Sequence, residues 1–160
     1  MRSFSSKLGW IFSFYVFWFL SALSAQSCKF QTANLITLSL FFLEPPKGLA
    51  YFFLLSAGVS IDTLALTITG SSYSCDFYLY PFWALGQWAF FIFLLDKFNF
   101  FNISAVSMFI LGFMGGSIAV RTAMKLQILN VSGTLNFWVL ATSWGLNLLA
   151  LKLIANRLLK

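Results

Sequence analysis

The chain of 160 residues is 60% hydrophobic and 20% aromatic, with 9% charged residues and a formal net charge of +6. Soluble domains hold roughly 25% charged residues, so this composition excludes an ordinary water-soluble fold and requires most of the surface to face hydrocarbon. The 10 basic residues stand singly at the ends of apolar runs, without a basic cluster, which argues against nucleic acid as a partner and reads as a set of topology signals.

The apolar runs do not alternate, so helices rather than barrel strands must satisfy the backbone within the bilayer. Six spans are predicted, at residues 8–26, 29–43, 48–69, 79–95, 102–121 and 134–155. The expected fold is an all-α, polytopic membrane helix bundle forming one integral membrane domain over residues 1–160, with short loops and antiparallel neighbours. The opening MRSFSSKLGWIFSFYVFWFLSALSAQS has the basic, apolar and small-residue parts of a signal peptide, but its Trp and Phe content favours a retained span. The second run, FQTANLITLSLFFL, is about 14 residues, roughly 21 Å of helix against a core of roughly 30 Å, so a short span and a re-entrant segment are both open.

Charge placement separates these two topologies. With six spans and a cytoplasmic N-terminus, Arg2, Lys7, Lys47, Lys97, Lys152, Arg157 and Lys160 lie inside, and Lys29, Arg121 and Lys125 outside. If residues 29–43 do not cross, the majority falls outside. The positive-inside rule therefore favours six spans with both termini cytoplasmic, Lys29 snorkelling outward and Pro45-Pro46 ending the short helix. This places Cys28 and Cys75 on the outer side, which leaves a disulfide between them open, the alternative being two unpaired thiols near the interface.

Catalytic signatures are scarce. There is no His, two separated Cys do not make a metal site, and the acids Glu44, Asp62, Asp76 and Asp96 fall in different parts of the topology. No phosphate-binding Gly loop, nucleophile elbow or cofactor motif is present, so neither a metal nor a cofactor is expected.

Polar residues within the spans are the better lead, because a bilayer makes them costly. In GVSIDTLALTITG, at 100° per residue, Leu54, Ala57, Ile61, Leu64 and Ile68 form an apolar face suited to lipid. Ser56, Ser60, Thr63 and Thr67 form a hydroxyl stripe, and Gly58, Asp62, Ala65 and Thr69 a small-residue stripe that carries the acid. Asp62 is thus expected to point toward protein, where a carboxylate must be protonated or accept hydrogen bonds. Gln87 in span four, and Asn147 in span six with Ser143 one turn away, lie at comparable depth; together with Asp62 they either line a buried site or fix helix packing by interhelical hydrogen bonds. Trp83, four residues before Gln87, lies on the same face and either lines that pocket or packs. Arg121 and Lys125 are the basic candidates to pair with Asp62, Arg121 being favoured, and Gln87 and Asn147 are the neutral ones.

Span five contains LGFMGGSIAVRTAMKLQIL, in which Gly112, Gly116, Ala119 and Ala123 form a small-residue face for close helix approach. Arg121 and Lys125 lie opposite it and either snorkel or turn inward. Trp10, Tyr73, Tyr78, Tyr80 and Trp138 sit near span ends as interfacial anchors, and Asn130-Val-Ser is a sequon on the predicted outer side.

The LGW of Leu8 to Trp10, the GVSIDTL around Asp62, the PFWAL before span four and the LGFMGGSIA of span five resemble an uncharacterised family of bacterial inner-membrane proteins, the domain-of-unknown-function family numbered 2878. The resemblance covers nearly the whole chain and implies a small multi-span protein with a lipid-linked role. It departs at Ser117, where that family often has Pro after the paired Gly. The rod-shape membrane protein family called MreD is similar in size and in an Asp of its third span. Three readings follow: a non-catalytic subunit or accessory partner in a membrane, envelope or lipid-related system, with membrane lipids and a protein as partners; a carrier of a small lipid-like or apolar ligand; and a lipid-modifying enzyme using Asp62 and Arg121. A carrier requires a lined cavity near the midplane, whereas an accessory subunit requires none.

Overall fold

A computed structural model describes residues 9, 12, 13, 15–19, 45–74 and 82–158, with the backbone alone described at 45–48, 82 and 83. Four helices carry the described fold: α1 (Pro45–Thr69), α2 (Phe82–Lys97), α3 (Ala105–Lys125) and α4 (Gly133–Leu158). A 3-10 turn, Phe100–Asn102, joins α2 to α3, and two short strands, β1 (Ser72–Tyr73) and β2 (Leu129–Asn130), lie in the loops before α2 and α4. Residues 15–19 are also helical.

The helix ends follow local chemistry. Pro45 and Pro46 open α1, where a missing N–H costs nothing because the first turn has no intrahelical acceptor for it. Gly70, at φ 60°, closes it: the amide of Ser71 bonds to the carbonyl of Leu66 at 2.9 Å and that of Gly70 to Thr67 at 3.2 Å, so the last carbonyls are satisfied. Ser104 caps α3 by accepting the amide of Ser107 at 3.0 Å. The same closing pattern recurs after α3, with Gln127 at φ 58° and the amide of Ile128 bonded to Ala123 at 3.0 Å.

Within the described residues, α1 from Leu49 to Thr69, α3 and α4 are long and apolar enough to cross a membrane. The 16 residues of α2 reach roughly 24 Å, short of a full hydrocarbon core. Of the six expected spans, the described residues show three helices of spanning length and one shorter one. Residues 29–43, Lys29, Cys28, Cys75 and most of span one lie outside the described residues. Span five is displaced from 102–121 to Ala105–Lys125, because the 3-10 turn and the Ser104 cap delay its start and Arg121 and Lys125 continue the helix.

α4 is central, packed on α3 along one side and on α1 along another, while α1 packs on α2. α2 and α3 share no extended interface. The two-residue ribbon pairs Ser72 with Asn130 and Tyr73 with Leu129, and Asn136 Nδ2 donates to the carbonyl of Thr69 at 2.9 Å, closing the bundle at one end. At the other end Tyr51 donates its hydroxyl to Asp96 at 2.6 Å, and Lys152 donates to the carbonyl of Phe101 at 2.5 Å.

Large apolar side chains face outward on all three long helices, among them Phe52 and Ile68 of α1, Val106 and Ile118 of α3, and Leu135 and Leu153 of α4. Such surface is a liability in water and ordinary against lipid. Outward hydroxyls are satisfied within their own helix: Ser56 bonds back to Phe52 at 2.9 Å, Ser60 to Ser56 at 2.7 Å and Thr67 to Thr63 at 2.9 Å. The expected lipid face of α1 is corrected at Leu54, which is fully buried against the core; toward the N-terminal end Phe52 and Phe53 take the outward positions.

Candidate functional site

The small stripe of α1 turns inward: Gly58, Asp62, Ala65 and Thr69 are all buried, with Asp62 only 3% exposed. Small neighbours let other helices reach the backbone beside the acid. A Cβ at Gly58 would lie 3.4 Å from Trp88 of α2 and 3.7 Å from Oδ1 of Asn147 of α4. Asn147 Nδ2 donates to the Gly58 carbonyl at 2.8 Å, and its Oδ1 is buried without a hydrogen-bond partner. That bond is made one helical turn before Asp62, to the carbonyl that also receives the Asp62 amide in an α-helix.

Trp88 links the acid to the rest of the bundle. Its indole N–H reaches Oδ2 of Asp62 at 3.5 Å, a long contact, and its ring stacks on Trp144 of α4 with centroids 5.0 Å apart and planes inclined by 30°. Trp144 in turn rests on the glycines of α3. A Cβ at Gly112 would stand 2.6 Å from the Trp144 carbonyl, and one at Gly116 would collide with Trp144 Cβ and stand 2.6 Å from Cγ. Gly145 of α4 reciprocates by accommodating the Phe109 ring.

Between α2 and α3 lies a cleft of about 180 Å³. Asp62, Gln87, Trp88, Trp144, Gly115 and Ala119 line it, with Tyr15 and Trp18 from the N-terminal helical residues and Tyr73 from β1. Leu111 and Ile118 line it as well and are exposed, so its rim lies at the apolar surface of α3. A Cβ at Gly115 would meet nothing within 4 Å, in contrast to its neighbour Gly116. Gln87 Nε2 makes a weak 3.4 Å contact with the Trp18 carbonyl.

Of the residues singled out from sequence, Asp62 and Gln87 meet at this cleft. Asn147 stands behind it, tied to Gly58 and not part of the lining. Arg121 is a correction: it is exposed, with its guanidinium carbon 5.8 Å from the centre of the Phe137 ring, because it lies on the face of α3 turned away from the cleft. Gly112 and Gly116 pack α3 against α4, but Ala119 lines the cleft, whereas Val120 is buried at 3% exposed. The side chain of Trp83, like Cys28 and Cys75, lies outside the described residues.

Trp88 and Trp144 were not singled out. Both tryptophans sit in mid-helix, where interfacial anchoring does not account for them, and that was the available signal. Among the described residues no group of His, Cys, Asp and Glu is placed to hold a metal ion. The polar groups of the described residues around the cleft are a carboxylate, a carboxamide, the Thr122 hydroxyl, indole N–H groups and phenols, which suit recognition by charge and hydrogen bonding. No family model, curated protein or solved structure matches the chain.

Proposed function

We propose that this chain is a multi-pass membrane protein that takes a small, largely apolar molecule from the bilayer into the cleft between α2 and α3, with Asp62 and Gln87 engaging its polar end. The observation that carries this reading is the cleft itself, about 180 Å³ in volume, which meets a buried carboxylate part-way along a helix of membrane-spanning length. An apolar cavity of roughly 150 Å³ holds a benzene-sized molecule, so the space suits one ring or a short branched group of a lipid-like ligand. An accessory subunit needs helix packing but no such cleft between two of its helices. The exposed apolar rim at Leu111 and Ile118 supports entry from the hydrocarbon, not from water.

The orientation that goes with this reading places the cleft nearer the outer leaflet. Lys47, Lys97, Lys152 and Arg157 belong to one end of the bundle and Arg121 and Lys125 to the other, so the positive-inside rule puts the first end in the cytoplasm. Asp62 lies seven residues before Thr69, roughly 10 Å of helix rise from the outer end.

Native mass spectrometry of protein released gently from its own membrane tests the proposal. Wild type should carry a small-molecule adduct, and Gly115→Phe, which fills the cleft from a position with open space, should lose it while remaining folded. Adducts identical in the two proteins would remove the cleft as the binding site.

A further inference from the structure

We infer that the polar end of the ligand is a cation, a protonated or quaternary amine, held between the Asp62 carboxylate and the aromatic rings of the cleft. This rests on the proposed binding role of the cleft and adds the chemical class of its ligand. Among the described residues lining the cleft, Asp62 is the acid and none is basic. Six aromatic residues share the wall with it: Tyr15, Trp18, Tyr73, Trp88, Phe91 and Trp144.

A carboxylate beside ring faces is the pairing that favours organic cations over neutral or anionic groups. The carboxylate supplies charge, and the rings supply their negative faces without the desolvation cost of further ions. Trp is the most effective of these rings, and three tryptophans share this wall. Two of them are held in place: Trp88 is 3% exposed and stacked on Trp144, with its N–H directed to Asp62 Oδ2. That N–H orients the carboxylate as a neutral donor and brings no positive charge. An anionic headgroup, by contrast, would meet the acid, and the described lining residues bring no base to receive it.

The same geometry limits the size of the cation. A volume of about 180 Å³ accommodates a trimethylammonium head, with an attached ring or longer tail leaving over Leu111 and Ile118 toward the lipid.

The test uses two probes of equal shape, phenyltrimethylammonium and tert-butylbenzene, titrated onto the full chain in lipid nanodiscs and followed by tryptophan fluorescence. The proteins are wild type, Asp62→Asn, Asp62→Glu and Gly115→Phe. Wild type should bind the cation about tenfold to a hundredfold more tightly than the neutral isostere, the range of one desolvated charge contact with its ring contacts. Asp62→Asn should abolish that preference while still binding tert-butylbenzene, and Asp62→Glu should restore part of it. If Asp62→Asn fails to fold, the wild-type preference decides alone. Equal binding of both probes by wild type, or a preference that survives Asp62→Asn, overturns the cation assignment and leaves the cleft reading intact. Binding of either probe that Gly115→Phe does not weaken, or no binding at all, overturns the cleft reading and this inference with it.

Discussion

Replacing Gly116 by Ala adds one methyl group, and the structure gives the size of the effect. The new Cβ would overlap Trp144 Cβ and lie 2.6 Å from Cγ, whereas carbon atoms rest about 3.5–4.0 Å apart. Either α3 or Trp144 must therefore retreat by about 1 Å. Trp144 has little room, since it stacks on Trp88, and Trp88 abuts the backbone of Gly58. The clash is between atoms fixed to two backbones, so it falls near the upper end of the roughly 1–3 kcal/mol range for overpacking. Ala adds about 1 kcal/mol of helix preference over Gly, leaving a net loss of about 2 kcal/mol. At Gly115, where a Cβ meets nothing within 4 Å, the same change keeps the helix gain and incurs no clash. The two variants should differ by about 3 kcal/mol, read as the difference in unfolding free energy in mixed micelles by circular dichroism. If Gly116→Ala is as stable as Gly115→Ala, the close approach of α3 and α4 is wrong. Leu in place of Gly116 should likewise be far more damaging than Leu in place of Ile118, which is exposed.

Asn147→Leu removes the 2.8 Å bond to Gly58 but also the unpartnered Oδ1, so it should lie within about 1 kcal/mol of wild type in the same unfolding assay; a loss above about 2 would mean that the amide supports more than this bond. Tyr51→Phe loses a hydroxyl donating to Asp96 at 2.6 Å, and because Asp96 is half-buried and water can replace part of the contact, the expected loss is about 1 kcal/mol; no change would show that water replaces the bond fully. With Cys28 and Cys75 replaced by Ser, a cysteine at Asn130 should react with an impermeant reagent in intact cells and one at Asn99 should not; the reverse pattern would invert the orientation.

The inward direction of Asp62 was legible because one helical period aligns it with Gly58, Ala65 and Thr69, and small residues beside an acid argue against a lipid face. The glycine contact of α3 was legible on the same ground at 112 and 116. The period alone could not choose between 119 and 120, since that choice depends on how α4 crosses the stripe. The hydroxyls of Ser56, Ser60 and Thr67 look like inward polar groups in sequence, yet each bonds to the carbonyl one turn back and needs no neighbouring helix. Arg121 was a plausible partner for Asp62 by depth alone, but depth does not fix azimuth. The Trp88–Trp144 stack and the cleft arise from pairings between helices far apart in sequence. A periodicity within one helix carries no record of them.

The central claim is that the space between α2 and α3 is a ligand site built on Asp62. An experimental structure of the wild-type protein, purified from its own membrane in mild detergent, tests it most directly. The account predicts non-protein density between the Trp88–Trp144 stack and Gly115, with one end within hydrogen-bonding reach of the Asp62 carboxylate. Direct packing of α2 on α3, with side chains filling the cleft and no density beside Asp62, would contradict it.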